Sequence, residues 1–197
     1  RNYLAIVLMP ALLALTICRK TNVQPVKIFF STYLITMMAV AALAFLHPPL
    51  NPAKLIAQKQ KDFLEIPVAN SQIKTDTLLP ETKSLINNLP QAINHGFLRP
   101  YIWESKNGFS ILLSIELLLY LFLFISFLLF SKNSFSHPHP FVLFGIFIAG
   151  CIIILNGYIV PNYNSLVRYR SIYLPFLITP LLCHFPFFNV RYLNIKF

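Results

Sequence analysis

From Ile111 to Phe130 the chain carries a single charge, Glu116, and from Phe141 to Val160 it carries none. An apolar helix needs about 20 residues to cross about 30 Å of hydrocarbon, so each run is long enough to span a bilayer. Ile28 to Leu46 is a third such run without a charge. Two more complete the set of expected spans. Tyr3 to Cys18 is shorter and contains Pro10, and Ile172 to Phe188 is interrupted by Pro175, Pro180 and Pro186. Each interior proline removes a backbone hydrogen bond, so the last span is expected to be kinked.

The composition agrees with the runs. Of the 197 residues, 56% are hydrophobic and 11% charged, against roughly 25% charged in a soluble domain. The mean hydropathy is +0.64. The expected fold is therefore all-α: a polytopic integral membrane protein of five spans. Residues 1–46 hold two spans (3–18 and 28–46), 47–110 form a helical extracytoplasmic segment, and 111–197 hold three spans (111–130, 141–160 and 172–188) and a short cytoplasmic tail. The chain opens on Arg1 without a signal-peptide pattern, and the expectation is that it is a C-terminal portion of a longer protein.

Orientation follows from lysine and arginine in the short loops. Arg19, Lys20, Lys27, Lys132, Arg191 and Lys196 fall on one side, and Arg1, Arg168 and Arg170 on the other. The first side is expected to be cytoplasmic. Segment 47–110 is too long for its basic residues to enter that comparison. A formal net charge of +10 raises the possibility of nucleic-acid binding. These basic residues flank spans, however, which is the pattern of topology and anionic-lipid contact. The expected partners are membrane lipids, with no nucleic acid.

Segment 47–110 begins with a proline-rich turn, followed by a helix over Ala53–Leu64 that ends before Pro67. Residues 68–74 read as irregular. Leu85, Ile86, Leu89, Ile93 and Phe97 recur at helical spacing, and with Pro80 and Pro90 nearby the stretch 77–97 reads as two short helices. It is too apolar for a disordered linker and is expected to lie on the membrane surface or over the span ends. His137 and His139 flank prolines in the connection 131–140 and match no metal-ligand spacing. Cys18, Cys151 and Cys183 fall within spans or at their ends and read as small apolar residues. The residues name no cofactor and no metal.

Three clusters remain as candidate sites. Arg99-Pro100-Tyr101-Ile102-Trp103-Glu104 precedes the third span. It reads as an interfacial aromatic belt, or as a rim on which Trp103 stacks a sugar while Glu104 accepts from its hydroxyls. Glu116 sits about 9 Å along its helix, where burying a carboxylate costs up to roughly 2.5–3.5 kcal/mol. It is expected to pair with Arg168 or Arg170 first and Arg99 second. Arg168-Tyr169-Arg170 falls in the short connection before the fifth apolar run; with Asn164 or Ser165 as the helix cap, Arg168 and Arg170 lie in or just after the first turns of that helix. Two guanidiniums at a helix start oppose the helix dipole, which suits a bound phosphate. The competing reading has both arginines reaching for lipid headgroups.

Asn164-Ser165-Leu166-Val167-Arg168-Tyr169-Arg170, followed by Tyr173-Leu174-Pro175-Phe176-Leu177, resembles the C-terminal end of many bacterial polytopic membrane proteins. Arg99–Glu104 and Ser114-Ile115-Glu116 resemble another block of the same proteins. Some of these resemble GT-C-type glycosyltransferases, which use polyprenyl-phosphate-linked sugars. The resemblance covers roughly residues 95–177. It implies a bacterial inner-membrane location and a lipid-phosphate contact at Arg168 and Arg170. The family's acidic residues of an early outer loop have no counterpart here, so no catalytic residue is assigned. A non-enzymatic membrane component, such as a transporter portion or an envelope assembly factor, is the alternative expectation.

Overall fold

The computed structural model describes residues 2–47, 49, 51–65, 73, 75–104, 108–130 and 139–183. Among the described residues the protein is all-helical. Its elements are α1 (Asn2–Lys20), α2 (Pro25–Leu46), α3 (Pro52–Leu64), α4 (Thr82–Leu98), a 3₁₀ turn (Ile102–Glu104), α5 (Gly108–Phe130), α6 (Pro140–Ile159) and α7 (Tyr163–Cys183).

Local chemistry sets several of these boundaries. Asn51 caps α3: its side chain accepts from the Ala53 amide at 2.9 Å, and Pro52 occupies the first turn, where no amide hydrogen is needed. His139 does the same for α6, accepting from the Phe141 amide through Nδ1 at 3.3 Å ahead of Pro140. The role of His139 is thus helix capping, whereas His137 lies outside the described residues.

Two helices, Pro25–Leu46 and Pro140–Ile159, are long and apolar enough to cross a membrane. The described part of α5 contributes a shorter apolar stretch, Ser110–Ser126. α6 is the central helix, packing against α1, α2, α3, α4 and α7. Three hydrophobic clusters are stacked along it. Leu143 packs with Ala14, Ile28 and Phe29; Ile148, Ala149, Ile152 and Ile153 with Ala11 and Tyr173; and Tyr158 to Val160 with Ala57, Ile73, Leu78, Ala92 and Leu166. α2 by contrast turns Phe30, Leu34, Ile35, Met37, Met38, Phe45 and Leu46 outward. α5 does the same with Ile111, Leu112, Ile115, Leu118, Leu119 and Phe122, and is attached mainly through α7 and the 3₁₀ turn.

Two elements differ from the sequence reading. Residues 77–97 form one extended stretch and one helix, α4, with Pro90 inside it. The packing of α4 against α6 holds the helix together across the proline. The last helix begins at Tyr163, nine residues before the expected Ile172 (172 − 163). Arg168, Tyr169 and Arg170 are therefore helical residues, not loop residues. The caps expected at Asn164 and Ser165 lie inside α7, and the first carbonyl used is that of Asn162, which accepts from the Leu166 amide at 3.0 Å. Residues 184–188 of the expected span lie outside the described residues.

Segment 47–110 is tied to the corner where α6 passes into α7. The Ile73 amide donates to the Pro161 carbonyl at 2.7 Å, and the Tyr158 hydroxyl donates to the Leu85 carbonyl at 2.6 Å. Buried Gln60 holds the stretch before α4, accepting from the Leu78 amide at 2.8 Å and donating to the Asp76 carbonyl at 3.1 Å. The closest approach is between α4 and α6. A Cβ on Gly157 would collide with the Ala92 carbonyl, and one on Gly96 with the Ile153 carbonyl. Small residues at these points let the two backbones touch, as in tightly packed membrane helices.

This contact makes a test. Gly96→Ala and Gly157→Ala are each expected to destabilise the protein by about 1–3 kcal/mol, the usual cost of overpacking. Gly150→Ala meets nothing within 4 Å and is expected to be neutral or stabilising by up to about 1 kcal/mol, since alanine is the better helix former. Thermal unfolding of the three variants in detergent micelles checks the ranking.

Candidate functional site

The polar residues of α4's end, the 3₁₀ turn and α7 meet in one network. Arg99 follows directly on α4, and one of its terminal nitrogens lies 3.1 Å from Glu104 Oε1. Both side chains are largely shielded, so this ion pair is screened less than a surface pair. The second carboxylate oxygen of Glu104 accepts the Tyr163 hydroxyl at 2.8 Å. From α7, the Arg170 guanidinium donates to the Arg99 backbone carbonyl, and the Tyr173 hydroxyl donates to the Gly96 carbonyl at 3.2 Å. The last turn of a helix leaves its carbonyls without intrahelical partners. Here α7 supplies donors to the end of α4.

His95 lies among these groups and is 2% exposed. Burial first, and then the positive charge of Arg99, push its imidazole down to about 4, against weaker opposing pulls from Glu104 and Asp76. It is therefore neutral near pH 7.

At the rim, the Tyr101 and Trp103 rings are stacked with centroids 4.7 Å apart and planes 11° from parallel. The Arg99 guanidinium lies 5.9 Å from the Tyr101 ring centroid. Tyr101 is anchored through its hydroxyl to Asn94 Oδ1. Trp103 is 80% exposed and presents the outer face of the stack. Such a face suits an apolar sugar face or a lipid headgroup region.

Arg168 and Arg170 separate. Residues two apart on a helix point about 200° from one another. Arg170 is 6% exposed and turned into the network, while Arg168 is exposed, its guanidinium 5.8 Å from the Tyr169 ring centroid. The two guanidiniums thus point apart, whereas the helix-start reading had them converge on one anion. Glu116 is also placed differently from the expectation. Its carboxylate accepts the Tyr120 hydroxyl at 2.6 Å, one turn along α5, and among the described residues it forms no ion pair with an arginine. A donor on its own helix meets part of its hydrogen-bonding need.

The structure therefore joins Arg99, Glu104 and Arg170, sets Trp103 at the rim beside them, and leaves Arg168, Tyr169 and Glu116 outside. Sequence reasoning missed Tyr163, Tyr173, His95 and Asn94. The signal for the first two was present: Tyr163, Leu166, Arg170, Tyr173 and Leu177 fall on one helix face once the helix starts at residue 163. Among the described residues no group of three His, Cys, Asp or Glu is placed to hold a metal ion.

His95 predicts a pH dependence. Its folded-state value is depressed, so the unfolded chain binds the proton more readily between about 4 and the ordinary value of 6.5. Stability is expected to be full above pH 6.5 and to be lost as pH falls toward 4. Comparing the wild type with His95→Gln in unfolding experiments across that window isolates the contribution. A slope equally steep in His95→Gln would assign the loss to other groups.

No protein-family model, curated protein or solved structure matches this chain.

Proposed function

We propose that this chain is an integral membrane unit in which α1, α2, α5, α6 and α7 are the spans. On this reading it sits in a bacterial inner membrane with residues 47–110 on the outer face. The reading is supported by the two helices able to cross a membrane and by the outward apolar faces of α2 and α5. The function proposed is that of a GT-C-like glycosyltransferase or polysaccharide-assembly enzyme acting on a polyprenyl-phosphate-linked sugar.

The observation that carries the proposal is the rim beside the buried network. Exposed Trp103, backed by Tyr101, offers a stacking face next to Glu104, a carboxylate held by Arg99 and Tyr163. Exposed Arg168 offers a guanidinium for a phosphate. In this arrangement Arg168 contacts the lipid phosphate. Arg170 acts through the Arg99 carbonyl and positions the rim. The competing function is a non-enzymatic membrane component, such as a transporter portion or an envelope assembly factor. The observation favouring it is that Arg99 and Arg170 both serve internal contacts.

Two experiments test these statements. Arg168→Gln is expected to abolish glycan transfer while membrane insertion persists, and Arg168→Lys to retain part of it, since charge survives without bidentate geometry. Arg170→Gln is expected to lower stability first, because it removes a donor from a buried network. Full transfer by a correctly inserted Arg168→Gln protein would remove the phosphate contact from the proposal. For topology, cysteines at Thr21 and Lys54 in a cysteine-free background are expected to label from opposite sides. Lys54→Cys should react with an impermeant external reagent and Thr21→Cys should not; the reverse result would invert the orientation.

A further inference from the structure

α4 is amphipathic the wrong way round for a helix lying in water. Its inward face is mostly small and polar, Ser84, Asn88, Ala92, His95 and Gly96, with Leu85 and Phe97 packed against the core at either end. Its outward face runs Ile86, Leu89, Pro90 and Ile93 over successive turns, with Asn87 as the polar residue among them. Ile86 is 65% exposed and Ile93 44% exposed. The helix has no acidic residue, and its one lysine, Lys83, lies in the first turn. An aqueous helix turns its apolar stripe to the core and its polar residues outward. The reverse arrangement matches a helix whose surroundings are hydrocarbon.

The depth of α4 can be read from its partners. Gly96 faces the Ile153 carbonyl and Gly157 faces the Ala92 carbonyl, so residue numbers rise on α4 as they fall on α6. The two helices run antiparallel. α6 ends at Ile159 and α7 begins at Tyr163, which puts the α6–α7 corner at one membrane surface on the proposed topology. The start of α4 is at that corner, where the Leu85 carbonyl meets Tyr158. Its end is deeper. Ile153 lies six residues before the end of α6, about 9 Å at 1.5 Å per residue. On α7, Tyr173 bonds the Gly96 carbonyl ten residues after Tyr163, about 15 Å along that helix. Two independent helices thus place Gly96 about 9–15 Å below the corner. The chain then climbs back, because Glu104 is bonded to Tyr163 at the start of α7. Two extended steps from Arg99 to Tyr101 and three through the 3₁₀ turn span at most about 13 Å, and the Glu104 and Tyr163 side chains bridge the remainder.

We infer that α4 is a re-entrant helix. It enters the outer leaflet at Thr82, descends along α6 with Ile86, Leu89 and Ile93 against lipid acyl chains, and turns back at Arg99 without crossing. Its length agrees: 17 residues make about 25 Å, short of the roughly 30 Å of hydrocarbon. Non-helical backbone at membrane depth is stable only where protein covers it. The Arg99 carbonyl is covered by Arg170 and the Gly96 carbonyl by Tyr173. The Arg99 end of the network would then lie below the membrane surface, with Glu104 and Tyr163 near it. The inference rests on α6 being a membrane span, as proposed above.

The test uses the full chain with its three cysteines replaced by alanine. Single cysteines at Ile86, Ile93, Met38 and Lys54 carry an environment-sensitive fluorophore. Each protein is reconstituted into vesicles of phosphatidylcholine and phosphatidylglycerol. Lipids with a quencher near the headgroup or deep in the acyl chain report depth, and aqueous iodide reports water. Met38, midway along α2, is the marker for a span, and Lys54 the marker for water. The expected result is loss of fluorescence at Ile93 with the deep quencher, at Ile86 with the shallow one, and at neither with iodide. Iodide quenching of both α4 sites while Met38 answers only to lipid would overturn re-entry and leave the membrane reading standing. Shallow quenching of both would put α4 flat on the surface and also overturn re-entry. Iodide quenching at Met38 would sink the membrane reading, and re-entry with it.

Discussion

The contact between Gly96 and Gly157 is the constraint on which the rest depends. It brings the α4 and α6 backbones closer than any side chain would permit, each glycine facing a carbonyl of the other helix. Dispersion is short-ranged, so this proximity lets Ala92, Ile153 and their neighbours pack without gaps. It also fixes the axial register. Once Gly96 is held at Ile153, Arg99 emerges where α7 passes, and Tyr173 and Arg170 find carbonyls to bond. A shift of one residue would rotate Gly96 by about 100° and present a larger side chain to α6. The polar network is thus a consequence of apolar geometry.

That network offsets the charges it buries. Arg99 and Glu104 neutralise one another, Tyr163 satisfies the second carboxylate oxygen, and Arg170 spends a donor on a helix-end carbonyl that would otherwise lack one. Removing one partner of such a set leaves the others desolvated and unmatched, which costs more than the net value of the contact. A neutral His95 fits the same logic. Beside Arg99 and away from water, a second positive charge would be unfavourable on both counts.

The all-helical class and most helix positions were legible from apolar run length. α2, α5 and α6 begin and end within about three residues of the expected bounds, near the ordinary uncertainty of helix ends. α7 was misjudged because the apolar run starts at Ile172, whereas the helix starts nine residues earlier on polar and aromatic residues that pack inward. The separation of Arg168 from Arg170 was overlooked even where a cap at Asn164 or Ser165 puts both in the helix, since residues two apart on a helix face different sides. Pro90 misled in the same way: it reads locally as a break, but tertiary packing on α6 overrides the preference. The Arg99–Glu104 pair joined residues that the sequence had already singled out as one cluster. The bonds Tyr163–Glu104, Arg170–Arg99 and Tyr173–Gly96 join residues 59, 71 and 77 positions apart, and no local pattern encodes such contacts.

Glu116 shows how a carboxylate on an apolar helix face can be served from its own helix. Its neighbours Ile115, Leu118 and Leu119 are exposed and apolar, and on the proposed membrane reading a bare charge there would face hydrocarbon. Tyr120 is one turn further along, the spacing at which helical side chains meet, and donates its hydroxyl at 2.6 Å. Arg170 lies close enough for its charge to act on the Tyr120 hydroxyl, while its hydrogen bond goes to the end of α4. Among the described residues no ion pair fastens α5 to α7, and α5 is attached through its 3₁₀ turn and a modest α7 contact.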